Sequence, residues 1–413
     1  MVHRLNYDSE ICVIGAGAAG LWAAELCARL GAQTLVLEKT KRTGTKVLSS
    51  GGTRCNLTTS LNVEDTALCF GEAHRFIRPA LQNLSPQAVR ERFEQLGVPT
   101  KEEPEFEKVF PASDSALQVR NALEHAARTA GANFEMNVEV TGLSPAEEGW
   151  SVETADRTYH SQLVLLCTGG KSYPKSGTTG DGYPWLKALG LKMVDPVPAL
   201  VPLVSPAPWI HLLSGISIDG ELCIGKAKRR RPILFTHRGL SGPAAMDLSE
   251  HVTRGQLREA RLDFLPDTTW EELRSLLLDA RQRSGSPRLA SILPLPRRVL
   301  EMLSEQSGIQ DSNPAVNQLK KTEQNRLIEN LKSLRIPVSG SMGFNKAEVT
   351  AGGLSLKEVN RLTMEVRKAP GLYALGEILD LQGPIGGFSF QAAFSTAQLA
   401  AESAFKALKS SAT

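Results

Sequence analysis

Three glycines and one acid carry the spacing in this chain that most directly suggests chemistry. Gly15, Gly17 and Gly20 form G-x-G-x-x-G within Ile11-Cys-Val-Ile-Gly-Ala-Gly-Ala-Ala-Gly20, and Glu38 follows 18 residues after Gly20. Gly15 lets the chain turn sharply off a strand, Gly17 lets a pyrophosphate approach the backbone, and Gly20 lets helix and strand close up. Ala18 and Ala19 open a helix whose unpaired N–H groups and positive dipole end favour phosphate. Glu38 ends the next strand and is suited to holding a pair of ribose hydroxyls. With a strand before it and a helix after it, the motif reads as a dinucleotide site rather than a bare glycine turn.

Other groups could act on a bound ligand. Ser50-Gly-Gly-Thr-Arg-Cys-Asn56 reads as an irregular loop rich in backbone N–H groups and side-chain donors, suited to wrapping an anionic or heteroaromatic ligand. Cys55, beside Arg54, is expected there as a partly exposed thiol of lowered pKa able to donate a proton; the competing reading is a small packing residue. His237, in Phe235-Thr-His-Arg-Gly-Leu-Ser-Gly-Pro243, could be an acid or a substrate clamp, or a hydrogen-bonded structural histidine. Lys226-Ala-Lys-Arg-Arg-Arg231 suits phosphate contacts, or is simply a solvated loop; aromatics to stack on single strands are sparse beside it. No metal-ligand spacing is visible.

The elements that must position these groups follow from pattern. Ile11–Ile14 and Leu163-Val-Leu-Leu-Cys-Thr-Gly-Gly170 read as buried parallel strands, and Thr34–Glu38 as a third. The first helix stops at Gly31. Ser85-Pro86 starts a helix that Gly97 closes, and residues 115–130 form another with Leu117, Val119, Leu123 and Ala126 as its apolar positions. Phe134–Val140 and Trp150–Tyr159 predict a small antiparallel insertion, and Lys171–Gly182 a glycine-rich loop before a helix through Leu189. Prolines between Asp195 and Pro208 mark an exit from the first domain. Strands are expected near 210–225 and 231–236, and Ser241-Gly242-Pro243 starts a helix. Residues 267–334 are helical by pattern, with Thr268-Thr-Trp-Glu271 as a capping box, Leu273, Leu276, Leu277 and Ala280 at helical spacing, and a break at Pro294-Leu-Pro296. Pro370–Asp380 is a further strand with Gly376 and Glu377 at its end, followed by Gly386-Gly387 and a last helix.

The whole chain bounds the class. Its 413 residues, 41% hydrophobic and 22% charged, describe an ordinary globular protein of two or three domains. No run approaches a membrane span, and the first strand begins too early to leave room for a signal peptide. Six cysteines without a C-x-x-C pair suit a reducing cytoplasm. Net charge is +3, but Lys226–Arg335 holds 20 Lys plus Arg against 13 Asp plus Glu, an excess of 7 that leaves −4 elsewhere and hints at a polyanion partner.

Together these pieces resemble two-dinucleotide-fold flavoproteins, and more narrowly the BaiN-type family, which includes aminoacetone oxidase, bile-acid-pathway reductases and a ribosomal RNA dihydrouridine synthase. The carriers are Gly15–Gly20, Ser50–Asn56, Thr168-Gly-Gly-Lys-Ser-Tyr-Pro174, Thr179-Gly-Asp-Gly182, Leu234–Pro243 and Gly371–Gln391. Thr53, where the family usually has a smaller residue, and Phe388-Ser-Phe390, where it more often has Tyr-Asn-Phe, depart from the pattern. The resemblance implies an α/β fold: a Rossmann-like FAD-binding domain in two segments, 1–195 and 351–413, with an inserted β-barrel-like domain at 196–250 and 335–350 and a helical cap at 251–334. It implies noncovalent FAD held by Gly15, Gly17, Ala18, Ala19, Gly20, Glu38, Lys39, Lys46, Ser50, Gly51, Arg54, Asn56, Val140, Thr168, Gly169, Gly170, Gly376, Glu377, Asp380, Gly386, Gly387 and Phe388. Asp380 would meet the ribityl chain, and the helix after Gly386-Gly387 would aim its N-terminus at the flavin N1–C2=O edge. Cys55 and His237 are then the candidate catalytic groups. The implied activity is reduction of a C=C bond, with a uridine of 23S ribosomal RNA as first substrate candidate. An amine oxidase that forms peroxide and a flavin-bound sensor are the alternatives. NAD(P)H is a candidate electron donor, and RNA contact would run through Lys226–Arg231 and the helical cap.

Overall fold

The computed structural model describes residues 7–411 apart from Gln256 and Ser284, so the outermost residues of the sequence-derived domain bounds lie outside it. The chain forms two compact units, one from the described parts of Met1–Val197 and Glu348–Thr413, the other Pro198–Ala347. Each has its own apolar core.

The first unit is built on a seven-stranded sheet. Strand β1 (Ser9–Ile14) lies between β2 (Thr34–Glu38) and the strand Thr158–Leu166, parallel to both. The long strand changes character along its length. Its first half alternates between exposed and buried and pairs antiparallel with Trp150–Thr154. Its second half, Val164-Leu-Leu166, is fully buried and pairs in parallel with Leu372–Ala374, which brings the C-terminal segment into the sheet. Phe134 does not belong to an antiparallel insertion: Asn133–Met136 runs parallel to β2 as the sheet's edge, and only Val140–Pro145 and Trp150–Thr154 form a hairpin. Helix α1 (Ala18–Arg29) packs across β1 against the last helix, Phe388–Ser411, where Trp22 meets Phe394 with ring centroids 4.8 Å apart. The helix Ala116–Thr129 forms on its Ser115 cap, yet Leu117 points outward at 51% exposure and Ala127 takes the buried place expected of Ala126.

The second unit holds a seven-stranded antiparallel sheet whose two ends, Leu334–Pro337 and Gly340–Ser341, are successive in the chain. Bonds from Ser339 N–H to Val204 O (2.9 Å) and from Ser205 Oγ to Pro337 O (2.7 Å) hold that closure. The helices are not a separate subdomain. Glu259–Asp263, inside the 251–334 bounds expected for the helical cap, is a sheet strand paired with Ser217–Ile224 and Leu334–Pro337. Sheet residues such as Leu222 and Ile336 share one core with Leu273, Leu277 and Leu327 of the helices. The capping box of Trp270–Gln282 is Thr269 with Glu272, one residue beyond the expected pair.

The strand Met193–Ala199 pairs with Val349–Leu354. Ser355 N–H bonds to Lys192 O at 3.0 Å, while a Cβ on Gly352 would lie 2.4 Å from Asp195 O. One number falls as the other rises, so this ribbon is antiparallel.

Candidate functional site

The turn from β1 into α1 has the geometry its glycines predict. Gly15 sits at φ +100°, and a Cβ there would lie 2.7 Å from Cys167 O. A Cβ on Gly20 would come within 1.9 Å of Gly15 O, so helix and turn touch through backbone alone. A Cβ on Gly17 would meet no non-neighbouring atom within 4 Å among the described residues, and no side chain caps α1. Glu38, at the end of β2, reaches back to this turn: its Oε2 accepts from Ala16 N–H at 2.7 Å. Its Oε1 accepts from Thr40 N–H at 2.8 Å and Thr40 Oγ1 at 2.7 Å. A carboxylate has about four lone-pair sites, so one remains for a ligand hydroxyl. Val140 is buried near the same strand end, where Val138 N–H bonds to Glu38 O. Lys39 is tied to Asp181 and to Thr179 Oγ1.

The loop after Lys46 is more ordered than its composition suggests. Thr45–Ser49 is a helical turn and Ser50–Thr53 a 3-10 turn, with Ser50 Oγ donating to Val47 O at 2.6 Å. Gly51, Gly52, Thr53 and Cys55 all take positive φ, between 53° and 73°. Thr53 and Cys55 have a Cβ, so they hold strained backbone. The expectation of an exposed, acidified Cys55 thiol fails. Cys55 is fully buried, and burial pushes its pKa up to about 12 despite a hydrogen bond with Ser50. Arg54 points away to Glu103 and Asp114 with its guanidinium 4.0 Å over the Phe110 ring, so it is not a free donor to a ligand. Asn56, with its amide oriented to satisfy both ends, donates to Thr58 O and Val109 O and accepts from Gly387 N–H at 2.9 Å. Gly387 N–H is thereby used inside the protein.

The strand Thr158–Leu166 delivers Thr168, Gly169 and Gly170 to the same crevice. Thr168 Oγ1 and Tyr183 Oη are buried without a hydrogen-bond partner among the described residues. Burial, with the Glu377 and Asp380 carboxylates nearby, raises the Tyr183 pKa and keeps the phenol protonated. A Cβ on Gly170 would meet Thr350 Oγ1 at 2.4 Å and Glu377 Oε1 at 3.0 Å. Glu377 is a hub, accepting from Ser172 Oγ (2.5 Å) and Thr350 N–H (2.8 Å) and pairing with Lys46. Gly376 N–H bonds to Thr396 Oγ1 at 3.0 Å, and Asp380 N–H to Leu354 O at 3.0 Å. Phe388 is a packing residue rather than an exposed ligand contact: it is 3% exposed, edge-on to Phe70, and occupies the space beside Gly383 and Gly386. Sequence reasoning missed Ser172, Thr350 and Tyr183 as site residues; the glycines beside them carried the signal, but their partners lie up to 205 residues away.

These features fit a dinucleotide with a polar ring system. There is open ground over Gly17, an uncapped helix start, a carboxylate at the end of β2, and two buried hydroxyls with unused hydrogen-bonding capacity.

In the second unit, His237 is exposed at the hairpin turn after Ala227–Thr236, and its carbonyl accepts from His211 Nδ1 at 2.5 Å. Lys226–Arg231 is not a free loop. It enters the strand Ala227–Thr236, with Lys228 paired to Glu221, Arg230 to Asp267, and Arg229 and Arg231 to the buried Asp247. Among the described residues no group of three or more His, Cys, Asp or Glu could hold a metal ion, and no helix is long and apolar enough to cross a membrane.

Comparison with known proteins agrees with this geometry. A ribosomal RNA dihydrouridine synthase of Escherichia coli strain K12 is 31% identical over 399 residues, covering 95% of this chain and 97% of that protein. A 3-dehydro-bile acid delta(4,6)-reductase of Clostridium scindens is 30% identical over 410 residues, 96% of this chain and 99% of that one. The solved 3-ketosteroid-delta4-(5alpha)-dehydrogenase of Rhodococcus jostii RHA1 shares the fold, with a TM-score of 0.53 at 15% identity over 98% of both chains. The model of the HI0933-like protein Rossmann domain matches residues 9–403. The chain therefore belongs to the HI0933-like Rossmann family, a family of FAD-dependent oxidoreductases.

Proposed function

We propose that this protein is a reductase that saturates a carbon–carbon double bond, with a uridine of ribosomal RNA as its first candidate substrate. One observation carries the reading. Two relatives as different as a ribosomal RNA dihydrouridine synthase and a delta(4,6)-reductase, each matched over at least 95% of this chain, have names that share the saturation of a ring double bond. Bound FAD supplies the hydride, and NADH or NADPH is the candidate source of its electrons. The protein's own groups do the rest. The gap over Gly17 and the first turn of α1 hold the pyrophosphate, and Glu38 holds the ribose. Thr168 and Tyr183 would bond to polar cofactor atoms, and Asp380 would be the residue toward the ribityl chain. Saturation also consumes a proton. The Cys55 thiol, sealed from solvent and with its pKa raised by burial, is poorly placed to supply it. An RNA backbone would compete for Lys228 and Arg230, whose present partners form exposed, solvent-screened ion pairs that cost little to break. A ribosomal RNA substrate would place the reaction in the cytoplasm.

The test is anaerobic reduction of the flavin-loaded protein, followed by mixing with unmodified ribosomal RNA, a small enone, or air. Rapid flavin reoxidation by RNA with loss of a uridine chromophore is the expected result. Fast reoxidation by air with peroxide release would replace this reading with an oxidase.

A further inference from the structure

The segment from Gly170 to Gly177 runs across the site, and the geometry points to Tyr173 as a residue that contacts the bound dinucleotide. The inference rests on the flavin assignment and not on the choice of substrate. The segment starts beside Glu377 and Thr350 and ends beside β2, where a Cβ on Gly177 would lie 2.7 Å from Thr40 Cγ2 and 3.5 Å from Lys39 Cε. It therefore links the carboxyl end of the strand Thr158–Leu166 to the carboxyl end of β2. β1 lies between those two strands, and the crevice outside such strand ends is where open α/β sheets bind ligands.

Tyr173 sits at φ 53° and ψ 61°, and Pro174 follows it. A left-handed backbone is uncommon for a bulky side chain, and a following proline favours extended backbone instead. The strained conformation is held from both sides. Thr350 Oγ1, fully buried, accepts from Lys171 N–H at 2.8 Å and Ser172 N–H at 3.0 Å. Downstream, the Ser176 N–H and hydroxyl both donate to Tyr173 O, at 2.9 and 2.8 Å. The side chain displayed by this clamp is 36% exposed, and among the described residues its ring stacks on no aromatic and its hydroxyl meets no partner. Strain of this kind persists where the surroundings over-determine it, and it clusters at ligand clamps. An exposed, unstacked aromatic side chain on a segment that crosses the strand ends is suited to stacking on a flat heteroaromatic ring.

The experiment measures FAD dissociation constants and apoprotein melting for wild type, Tyr173→Phe, Tyr173→Ala and Tyr173→Gly. Removing the ring in the Ala and Gly variants is expected to weaken FAD binding about tenfold, with Tyr173→Phe near wild type. Tyr173→Gly should also raise the apoprotein Tm by roughly 2 °C, because glycine occupies this backbone region without strain, whereas Tyr173→Ala should not. A purely structural tyrosine would not give a more stable apoprotein that binds its cofactor less well. Unchanged FAD affinity in both truncations, with wild type binding normally, overturns the inference. A wild type that binds no FAD overturns the flavin assignment itself.

Discussion

A thiol cut off from water is a poor acid, and Cys55 shows how completely placement governs reactivity. Its loop holds a positive φ at Cys55 itself, which turns the side chain inward against Ser50. Iodoacetamide at pH 8 should leave Cys55 unmodified in the folded protein and label it only on unfolding, as read by mass spectrometry. Cys55→Ala should reduce substrate within about threefold of wild type, whereas a loss of about 100-fold would restore the thiol as proton donor. The three glycines of the turn separate just as clearly. Gly17→Ala enters open space at φ −78°, so stability should stay within about 0.5 kcal/mol while FAD affinity drops at least about tenfold. Gly20→Ala would place a methyl 1.9 Å from Gly15 O, and urea titration should show it destabilised by about 3 kcal/mol or not folded.

Among the elements, the ones that read cleanly are those whose cause is local. β2 runs over Thr34–Glu38 as expected because a continuous apolar run ending in an acid leaves few alternatives. The helix Pro86–Gln95 starts on Ser85 because a serine cap and a first-turn proline need no distant partner. Glu259–Asp263 was not legible, since Ala260 and Leu262 are its only buried positions and two alternating residues make no period. The burial of Cys55 and the diversion of Arg54 were hidden as well, because Glu103, Asp114 and Phe110 arrive from a distant hairpin. The same holds for Thr350, whose partners lie 178 and 179 residues away. Thr350→Val keeps the shape but strands two N–H groups, at about 1–3 kcal/mol each where they stay dry. Melting and FAD affinity should both fall, and Thr350→Ser should restore both.

At the scale of the molecule, the first unit keeps four buried thiols, and this sets an alkaline limit. Burial raises Cys27 and Cys55 to about 12 from an ordinary 9.0 and raises Cys12 and Cys167 as well. The unfolded chain gives up these protons first. Their stabilisation is therefore complete below pH 9 and is lost as pH rises from 9 toward the folded values, about 1.4 kcal/mol per thiol by pH 10. Urea midpoints at pH 8, 9 and 10 should fall accordingly, and Cys27→Ala should fall less steeply; equal slopes would refute the thiol account.

The antiparallel ribbon of Met193–Ala199 with Val349–Leu354 has a different consequence. Both covalent links to the second unit leave from neighbouring strands, so about 150 residues are inserted in the chain where a hairpin turn would stand. A two-residue Asn-Gly turn in place of residues 199–348 would close that hairpin with little strain. The inserted unit is thus a cassette: it could be exchanged without rethreading the parallel sheet of the first unit.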